Sequence, residues 1–481
     1  MPINTDFDAD LSLMIPQIIK VRDAIKGAPV VKSKAETYLP NPDVTDRKNT
    51  DSGRAAYLKY LMGAEFEPWV SQTQQSMIGR LNLTDVKAEL NQLDYLLSDC
   101  DGDGLSLAGS IEQAAKDILV AGWRIGVVDY EGLTEADLQD VSLADVKMML
   151  SSSRPKIKTY NRESVVKRHF SVINGRKQLS MIMFYEQGEV INQETFRKEV
   201  AESFLILALD ENGDYYQQKI VKGTKNAEGE REHILVAGSP LKFIPAVIIS
   251  DHEVEHELPQ KLGFLSPIAD KCYHRYGVSA AYAFYLDKLV PTINVYLDRT
   301  FSLEDFAELN GGSQDYAQGG VNVFVGESRV ETTSAENNVK AFQEKLLINE
   351  SEARSIGAVI PKKDQSDNTA TQAFINLSEQ NSILKPLVMN LESSYKWLIA
   401  YCAMFEGLVS QENISDYVAY IDLSLPMEFT DKQKRPEFVA SVINLFSSGL
   451  ATRKQAVKML IDEGFHDGEA DQILSELEDS I

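Results

Sequence analysis

Apolar and polar positions alternate with a helical period over three long segments in the second half of the chain. Apolar or small residues recur every three or four positions from Phe264 to Val290, from Ala335 to Ala358, and from about Thr371 to Phe405. That spacing is typical of amphipathic helices. Pro291 ends the first segment and Pro361 ends the second. The pattern therefore predicts three long helices separated by two breaks.

The two breaks differ in composition. A Gly-rich stretch with strand-like segments runs from Ile293 to about Thr333, whereas the polar loop KKDQSDNTA follows Pro361. At about 1.5 Å per residue, the first two helices would be about 40 Å and 36 Å long. Two helices of matched length joined by a small module are expected to form an antiparallel helical arm, with the module at its tip. One arm cannot bury both apolar faces by itself, so copies of the chain are expected to pack together.

Shorter patterns precede this arm. Residues 1–53 contain one short helical pattern, SLMIPQIIKVRDAI, and then a Pro/Asn/Asp-rich segment that is expected to be extended. Further helices are predicted over 54–79, 105–120 and 133–150, and a strand is predicted in GWRIGVVDY, 122–130.

Beyond the serine run before Arg154, the pattern changes to strands. Short apolar or alternating segments from Tyr160 to Ile249 predict an antiparallel sheet, in which Glu211-Asn212-Gly213-Asp214 forms a hairpin turn. After Asp431 the chain has short helical patterns, with Thr452 and Gly449 as cap and stop signals. From Asp462 onward there are eight acidic residues and no Lys or Arg.

Composition limits the classes of function. A chain of 481 residues is expected to form more than one substructure, and 43% hydrophobic residues is ordinary for a globular protein. The formal net charge of −24 argues against wrapping nucleic acid, because affinity for phosphates comes mainly from Lys and Arg. It does not argue against DNA passing through a conduit that must not grip it. An acidic surface that only keeps the protein in solution is the commoner explanation of such a charge.

Compartment signals are few. Cys100, Cys272 and Cys402 are far apart and have no metal-ligand spacing, so free thiols in a reducing compartment are expected. The N-terminus is acidic where a signal peptide is basic, and no apolar run reaches the about 18 residues that span a bilayer. The sequence predicts a soluble protein.

His252-Glu253-Val254-Glu255-His256 matches the H-E-x-x-H pattern of zinc proteases. That chemistry requires a helix, so that both histidines share one face and the glutamate activates the metal-bound water. Here the motif directly follows the strand-like IPAVIIS and runs into Pro259. A chance match in an exposed acidic loop is the simpler interpretation, and a zinc metalloprotease using His252, Glu253 and His256 stays as the alternative.

Asp99, Asp101, Asp103 and Gly104 match the first half of an EF-hand calcium loop. The bidentate glutamate of such a loop should stand at position twelve, where this chain has Ser110. Asp103 is instead expected to cap the helix that starts near Leu105, because its carboxylate can accept free backbone N–H groups.

One catalytic signature is absent from the sequence. The chain contains no Gly-Lys dipeptide and therefore no Walker A phosphate loop. It is not expected to be a packaging ATPase.

Six segments, spread in order over about 360 residues, carry a resemblance to a known family. They are YLPNP (38–42), DCDGDGLSL (99–107), LVAGWRIGVVDY (119–130), FIPAVII (243–249), LSPIADKCYHRYGVSAAYAFYLDKLVPT (265–292) and TATQAFINLSEQNSILKPLVMNLESSYKWL (369–398). Together they resemble the portal proteins of tailed double-stranded DNA bacteriophages, in a divergent branch described as a portal-like domain of unknown function. No single segment is a strong signature; their order is the more specific feature.

The resemblance implies an α+β, portal-like fold. It would have an α/β wing with an antiparallel sheet, a long helical stem hairpin, a small α/β clip, a long wing helix and a short C-terminal helical crown. From the sequence itself, Pro386 predicts a kink near Ser382 in the long helix. The implied boundaries are 1–263 for the N-terminal arm and wing, 264–292 and 335–360 for the stem helices, 293–334 for the clip, 361–370 for the tunnel loop, 371–430 for the wing helix and its return, and 431–481 for the crown.

The resemblance also implies a function without catalysis, cofactor or metal. Twelve copies would form a ring at one capsid vertex, the channel for DNA packaging and ejection and the head–tail connector of the virion, after assembly in the host cytoplasm. Its partners would be the terminase large subunit, a head–tail adaptor, the major capsid protein, a scaffolding protein and the double-stranded DNA, with no membrane. In the tunnel loop, the DNA-facing residues would be Lys362, Lys363, Gln365 and Asn368, although two lysines in a polar loop are also typical of a solvated turn.

A third class remains beside the portal and the metalloprotease. The helical patterns would equally suit a phage head or tail component that forms no ring. A stable monomer or dimer at high concentration would be its signature.

Overall fold

Helices and strands are both abundant in the structure, a computed structural model. The chain forms two compact units, residues 1–427 and 428–481. The mixture of helices with separate sheets confirms the α+β class. The residues that the structure describes are 6–43, 45–83, 86–130, 154–173, 175–191, 198–222, 231–236, 238–252, 261–288, 293–297, 321–325, 336–360, 370–426, 442–443, 445–447 and 452–462.

The helices of the first unit range from single turns to 36 residues. They are α1 (Ala9–Ser12), α2 (Ile15–Lys26), α3 (Ala28–Ser33), α4 (Asp51–Gly63), α5 (Trp69–Leu81), α6 (Tyr95–Ser98), α7 (Leu107–Ala121), α8 (Leu265–Lys288), α9 (Glu336–Ser355), α10 (Ala370–Phe405) and α11 (Ile414–Val418). The three longest, α8, α9 and α10, confirm the three helices predicted from the long periodic segments.

The strands of the first unit group into five small or medium sheets. They are β1 (Lys87–Glu89), β2 (Trp123–Asp129), β3 (Lys156–Asn161), β4 (Val165–Ile173), β5 (Arg176–Ile191), β6 (Lys198–Leu209), β7 (Tyr215–Val221), β8 (Glu232–His233), β9 (Leu235–Val236), β10 (Ser239–Pro240), β11 (Ala246–Ser250), β12 (Ile293–Leu297), β13 (Val321–Val325) and β14 (Asp422–Ser424). Two of these sheets are antiparallel strand pairs, β1 with β14 and β9 with β10.

A five-stranded antiparallel sheet with the order β4-β5-β6-β7-β8 confirms the sheet predicted between Tyr160 and Ile249. The predicted hairpin turn joins β6 to β7, and Gly213 there has φ of +77°. The Asp210 carboxylate accepts hydrogen bonds from the backbone N–H groups of Asn212 and Asp214, each at 2.8 Å. The turn therefore requires positive φ at the glycine but not at the preceding asparagine.

The core of the first unit lies around a three-stranded antiparallel sheet with the order β11-β2-β3. Strand β2 is buried from Trp123 to Val128, since α7 and α10 both pack against this sheet. The hydroxyls of Ser110 on α7 and Tyr395 on α10 are 2.7 Å apart and buried. Gly126 allows the closest approach, because a Cβ there would lie 2.6 Å from Leu398.

Helix α10 continues through Pro386 as one element. Its C-terminal half is apolar on the buried side, with Leu384, Leu387, Leu391 and Leu398 inaccessible to solvent. The kink expected near Ser382 stays a prediction.

Two expectations about the N-terminal region are wrong in detail. The continuous helix expected over 54–79 is broken between α4 and α5, where Phe66 is buried against the rings of Tyr273 and Tyr276. Pro68 also disfavours a helical conformation in the residue before it. Residues 1–53 contain α1, α2 and α3 rather than one helix, because Pro16 suits the first turn of a new helix.

The expectation that Asp103 caps a helix is also wrong. Helix α7 begins at Leu107, and its N-cap is Ser106, whose hydroxyl accepts from the backbone N–H of Gly109 at 3.1 Å. The aspartates upstream close a tight loop instead: Asp99 accepts from Gly102 and Gly104, and Asp101 accepts from Asp103 and Leu105. The loop carboxylates therefore stabilise local turns.

In the second unit, α12 spans Arg453–Asp462. The Thr452 hydroxyl accepts from the backbone N–H of Gln455 at 3.3 Å, which confirms the predicted cap. The other helical patterns expected after Asp431 lie largely or wholly outside the described residues, as does the helix expected over 133–150.

Candidate functional site: a projecting helical arm

Helices α8 and α9 form the predicted antiparallel pair. Arg275 on α8 donates to the carbonyl oxygen of Leu346 at 3.0 Å, and the rings of Tyr282 and Phe342 lie 5.7 Å apart. Nearer the base, Asn349 donates to the carbonyl oxygen of Lys271 at 3.1 Å. Residue numbers rise on one helix as they fall on the other, so the pair is antiparallel. At about 1.5 Å per residue, 24 and 20 residues give about 36 Å and 30 Å.

Between these helices in sequence stand the strands β12 and β13, which pair in parallel from Ile293↔Val321 to Leu297↔Val325. Parallel strands cannot be joined by a tight hairpin and need a crossover connection of a dozen residues or more. The chain provides one, because 23 residues separate the two strands. We use "helical arm" for α8, α9 and this strand pair.

The arm projects from the body of the first unit. In α8 the side chains of Leu265, Ile268, Cys272, Tyr276 and Ala280 are fully or almost fully buried, and they pack against α2, α4, α5 and α7. Burial decreases beyond Ala280, and Leu286 is 41% exposed. The first half of α8 therefore belongs to the core, while its second half carries the arm outward.

The base of the arm is held by a close backbone contact. Gly263, two residues before α8, donates to the carbonyl oxygen of Val120 near the end of α7 at 3.2 Å. A Cβ at Gly263 would overlap the carbonyl oxygens of Ile118 and Leu119. Gly122 ends α7 with φ of +87°, and a Cβ there would lie 2.5 Å from the carbonyl oxygen of Lys261. Only glycine fits at these two positions.

Arg162 stabilises the same contact between the end of α7 and the base of the arm. Its guanidinium donates to the carbonyl oxygens of Ala121 and Lys261 at 2.8 Å and 3.0 Å, which links the end of α7 to the segment before α8. Its face also lies 5.1 Å from the Trp123 ring. Burial lowers the pKa of Arg162 to about 10, so it is still protonated at neutral pH. A cation at the C-terminus of α7 is favourable, because the last carbonyl oxygens lack helical partners.

An ion network ties the helices behind the arm to the sheets. Arg22 on α2 contacts Asp117 on α7 at 3.0 Å and also Glu163 between β3 and β4. Arg124 on β2 contacts the other oxygen of Asp117 at 2.9 Å and donates to Thr159 on β3. Burial lowers the pKa of Arg22, but Glu163 and Asp117 raise it more, so the net shift is upward. Asp117 is thus shared by two arginines.

Three cations of the arm contact carboxylates, whereas Lys340 and Lys345 on α9 are exposed. Lys271 contacts Glu352 at 2.6 Å, Arg354 contacts Glu350 at 2.8 Å, and Arg275 lies 3.5 Å from Glu67. A lysine or arginine already paired with a carboxylate binds phosphate weakly, since the phosphate must compete with that carboxylate.

The predicted channel residues Lys362, Lys363, Gln365 and Asn368 lie outside the described residues. The chain that leads to them is well anchored: the Val359 backbone N–H donates to the Thr73 hydroxyl on α5 at 2.9 Å, and Arg354 donates to the carbonyl oxygen of Ile360 at 2.9 Å. Ile360, the last described residue before them, is therefore fixed at the base of the arm.

The zinc-protease pattern begins at the end of a strand. His252 is the second residue after β11, and its Nδ1 lies 2.5 Å from the Asp251 carboxylate. Glu253 and His256 lie outside the described residues. Within the described part of the chain, no group of three His, Cys, Asp or Glu side chains is placed to hold a metal ion.

A polar groove of about 880 Å³ opens between α2, α7, β3 and β5. Its cations are mostly paired: Lys116 contacts Glu112 at 2.5 Å, Lys158 contacts Asp129 at 2.5 Å, and Arg22 belongs to the ion network. Because opposite charges offset one another there, the groove has no strong preference for an anion or a cation.

The three cysteines are free and buried, as expected. Burial raises the pKa of Cys100 and of Cys272 to about 12, and it raises the pKa of Cys402 well above the usual value. Since the thiolate is the nucleophile, about one such thiol in ten thousand is reactive at pH 8. Native protein is expected to leave a thiol reagent unreacted over minutes, whereas urea-unfolded protein should react at three sites. Rapid reaction of any native thiol would contradict this burial.

Comparisons with protein-family models and with curated proteins found no match for this chain. Among the described residues, no helix is long and apolar enough to cross a membrane.

The sequence predicted the arm but not the contacts that hold its base to α7. The matched lengths of α8 and α9 predicted the hairpin, and Pro291 and Pro361 marked its breaks. Nothing in the sequence singled out Gly263, Gly122 or Arg162, because each acts through a contact with a residue far away in the chain.

Proposed function

We propose that this chain is a portal subunit of a tailed double-stranded DNA phage, a structural protein rather than a catalyst. Copies would stand around an axis, head to tail, and close into a ring at one capsid vertex. The ring would be the channel through which DNA is packaged and ejected. Its partners would be the terminase large subunit, the head–tail adaptor, the major capsid protein and a scaffolding protein.

The observation that carries this proposal is the helical arm. An antiparallel pair of helices about 36 Å and 30 Å long projects from an α+β body and carries a small strand pair between its helices. In a ring, the arms would form the channel wall, β12 and β13 would belong to the docking module, and the sheets would belong to the outer wing. The order of these parts along the chain is the order that the family resemblance implies.

Charge supports passage of DNA rather than retention. The chain has 72 Asp and Glu against 48 Lys and Arg, and three of the arm's described cations contact carboxylates. A channel with more carboxylates than cations repels the phosphate backbone of DNA over most of the channel's length. Lys362 and Lys363, in the loop between α9 and α10, would then make brief contacts with phosphates, together with Gln365 and Asn368.

The mass of the purified protein tests the proposal. Light scattering should give about 644 kDa, twelve times the 53.7 kDa chain, and electron microscopy of the same peak should show a central hole. A neighbouring ring size would also support the proposal. A compact monomer, even with added salt or scaffold, would contradict it. In that case the zinc content of the wild type and of His252→Ala would test the peptidase alternative.

A further inference from the structure

Two pairs of large apolar side chains are exposed on the flanks of the helical arm. On α4, which packs beside α8, Leu58 is 57% exposed and Met62 is 72% exposed. On α9, Leu347 is 66% exposed and Ile348 is 50% exposed. We call these pairs the α4 patch and the α9 patch. Isolated apolar side chains on a surface are ordinary, but two pairs on neighbouring helices of one arm form extended patches.

Each patch lies on the outward side of a helix whose inner side is packed. Leu61 of α4 is buried, and the Tyr60 ring meets the Phe284 ring of α8 edge to face at 5.8 Å. Leu58 and Met62 are four residues apart and so share the opposite face of α4. On α9, Asn349 and Ala353 are buried toward α8.

The two patches lie on different flanks of the arm. Helix α9 contacts α8 through Lys271, Arg275 and Tyr282, whereas α4 approaches α8 at Ala283 and Phe284. At 3.6 residues per turn, these two stripes of α8 are separated by roughly 140° around the helix axis. A single arm therefore exposes one patch on each side, and neither can cover the other within one subunit.

Oppositely charged residues lie beside the two patches, Lys59 on α4 and Glu344 on α9, and α9 also exposes Lys340 and Lys345. Lys59 follows Leu58 on α4 and is exposed, while Glu344 is exposed on α9, one turn before Leu347 and Ile348. The wider α4 flank is cationic too, since residues 18–62 contain nine Lys and Arg against five Asp and Glu in a chain of net charge −24. Pairing α4 with α4 would oppose two lysines, and pairing α9 with α9 would oppose two glutamates.

We propose that the α4 patch of one copy packs against the α9 patch of the next copy, with Lys59 facing Glu344. This contact is heterologous, because different surfaces of the two copies meet, and it repeats from copy to copy until it closes. The inference rests on the proposed ring and specifies the surfaces that form it. It also assigns a role to apolar side chains that nothing covers within the described residues of one chain.

Two variants, each with one of the two patches altered, test the pairing. Leu58→Glu/Met62→Glu abolishes the α4 patch, and Leu347→Glu/Ile348→Glu abolishes the α9 patch. Each variant alone should remain a monomer of 53.7 kDa, because every contact needs both patches. Mixed in equal amounts, they should form a heterodimer of twice that mass. Assembly should stop there, because the heterodimer uses the single intact patch of each variant and leaves only altered patches exposed. A mixture that stays monomeric, or either variant forming rings alone, would overturn the proposal.

A charge exchange gives an independent measurement. Lys59→Glu alone and Glu344→Lys alone should each raise the concentration needed for assembly by about tenfold or more, because like charges then meet across the contact. The double variant Lys59→Glu/Glu344→Lys should recover most of the loss. Equal or additive losses in the double variant would show that these two side chains do not face each other.

Controls separate failure of the interface from failure of the ring. Met389→Glu changes a 51% exposed apolar side chain on α10, outside both patches, and should still assemble. Circular dichroism should show unchanged helix content in every variant, since all the altered side chains are exposed. Where a glutamate variant loses helix, the serine versions of the same patch replace it. A monomeric wild type would refute the ring itself, whereas rings formed by all variants would refute only this pairing.

Discussion

Gly263→Ala is expected to lower the free energy of unfolding by about 3 kcal/mol, at the upper end of what overpacking costs. The added methyl group would overlap the carbonyl oxygens of Ile118 and Leu119, which belong to the last turns of α7. A clash with a flexible side chain is relieved by a change of rotamer, but helix backbone has no such freedom. Either α7 or the start of α8 must move, and the joint at the base of the arm opens.

Urea unfolding followed by circular dichroism measures this loss. Gly79→Ala is the matched control, because Gly79 is exposed on α5 and a Cβ there would have no neighbour within 4 Å. An alanine in an exposed helix interior should be neutral or stabilising by up to about 1 kcal/mol. If Gly263→Ala were as stable as the control, the close contact between α7 and the arm would be wrong.

Asp117→Ala is expected to cost about 3 kcal/mol, near the lower end of the range for breaking a buried ion pair. Its carboxylate is the shared partner of Arg22 and Arg124, and the Arg124 side chain is only 4% exposed. Removing it leaves Arg124 without a carboxylate partner within the described residues. The penalty comes mainly from that buried, uncompensated charge rather than from the lost attraction.

The comparison variant for Asp117 lies on the same helix. Glu112→Ala removes a half-exposed partner of Lys116, and exposed pairs of this kind contribute about 0.5 kcal/mol. Thermal unfolding of both variants in low and high salt separates the two cases, because salt screens exposed pairs far more than buried ones. Equal losses in the two variants would mean that the network around Asp117 does not constrain the fold.

The sequence predicted those elements whose signals are local. The apolar periods of α8, α9 and α10 follow from residues three and four apart, so their type was predictable. The break between α4 and α5 was not, because it depends on Phe66 packing against Tyr273 and Tyr276, about 200 residues further along the chain. The start of α7 was missed by two residues, since the Ser106 hydroxyl outcompetes the aspartates before it as the cap.

The candidate site likewise has parts that the sequence predicts and parts that it does not. Its outline, two helices with a small module between them, was readable from matched lengths and two prolines. The residues that support it were not predictable. Gly263 matters only because α7 passes next to it, and Asp117 matters only because α2 and β2 meet α7 there. The exposed patches were hidden too, because a helical period shows that a face is apolar but not which neighbour covers it.

The packing of α8 against the N-terminal helices has a consequence during synthesis. Tyr273 donates to the carbonyl oxygen of Lys20 at 3.0 Å, across 253 residues of sequence, and Lys20 pairs with Asp270 across 250 residues. At about 5–20 residues per second, a ribosome needs roughly 12–50 s to make the partner of α2. For that time α2, α4 and α5 lack the helix that buries their apolar sides, so the nascent chain is a natural client for chaperones. An incomplete chain that ends before α8 would keep that surface exposed and would be prone to aggregate.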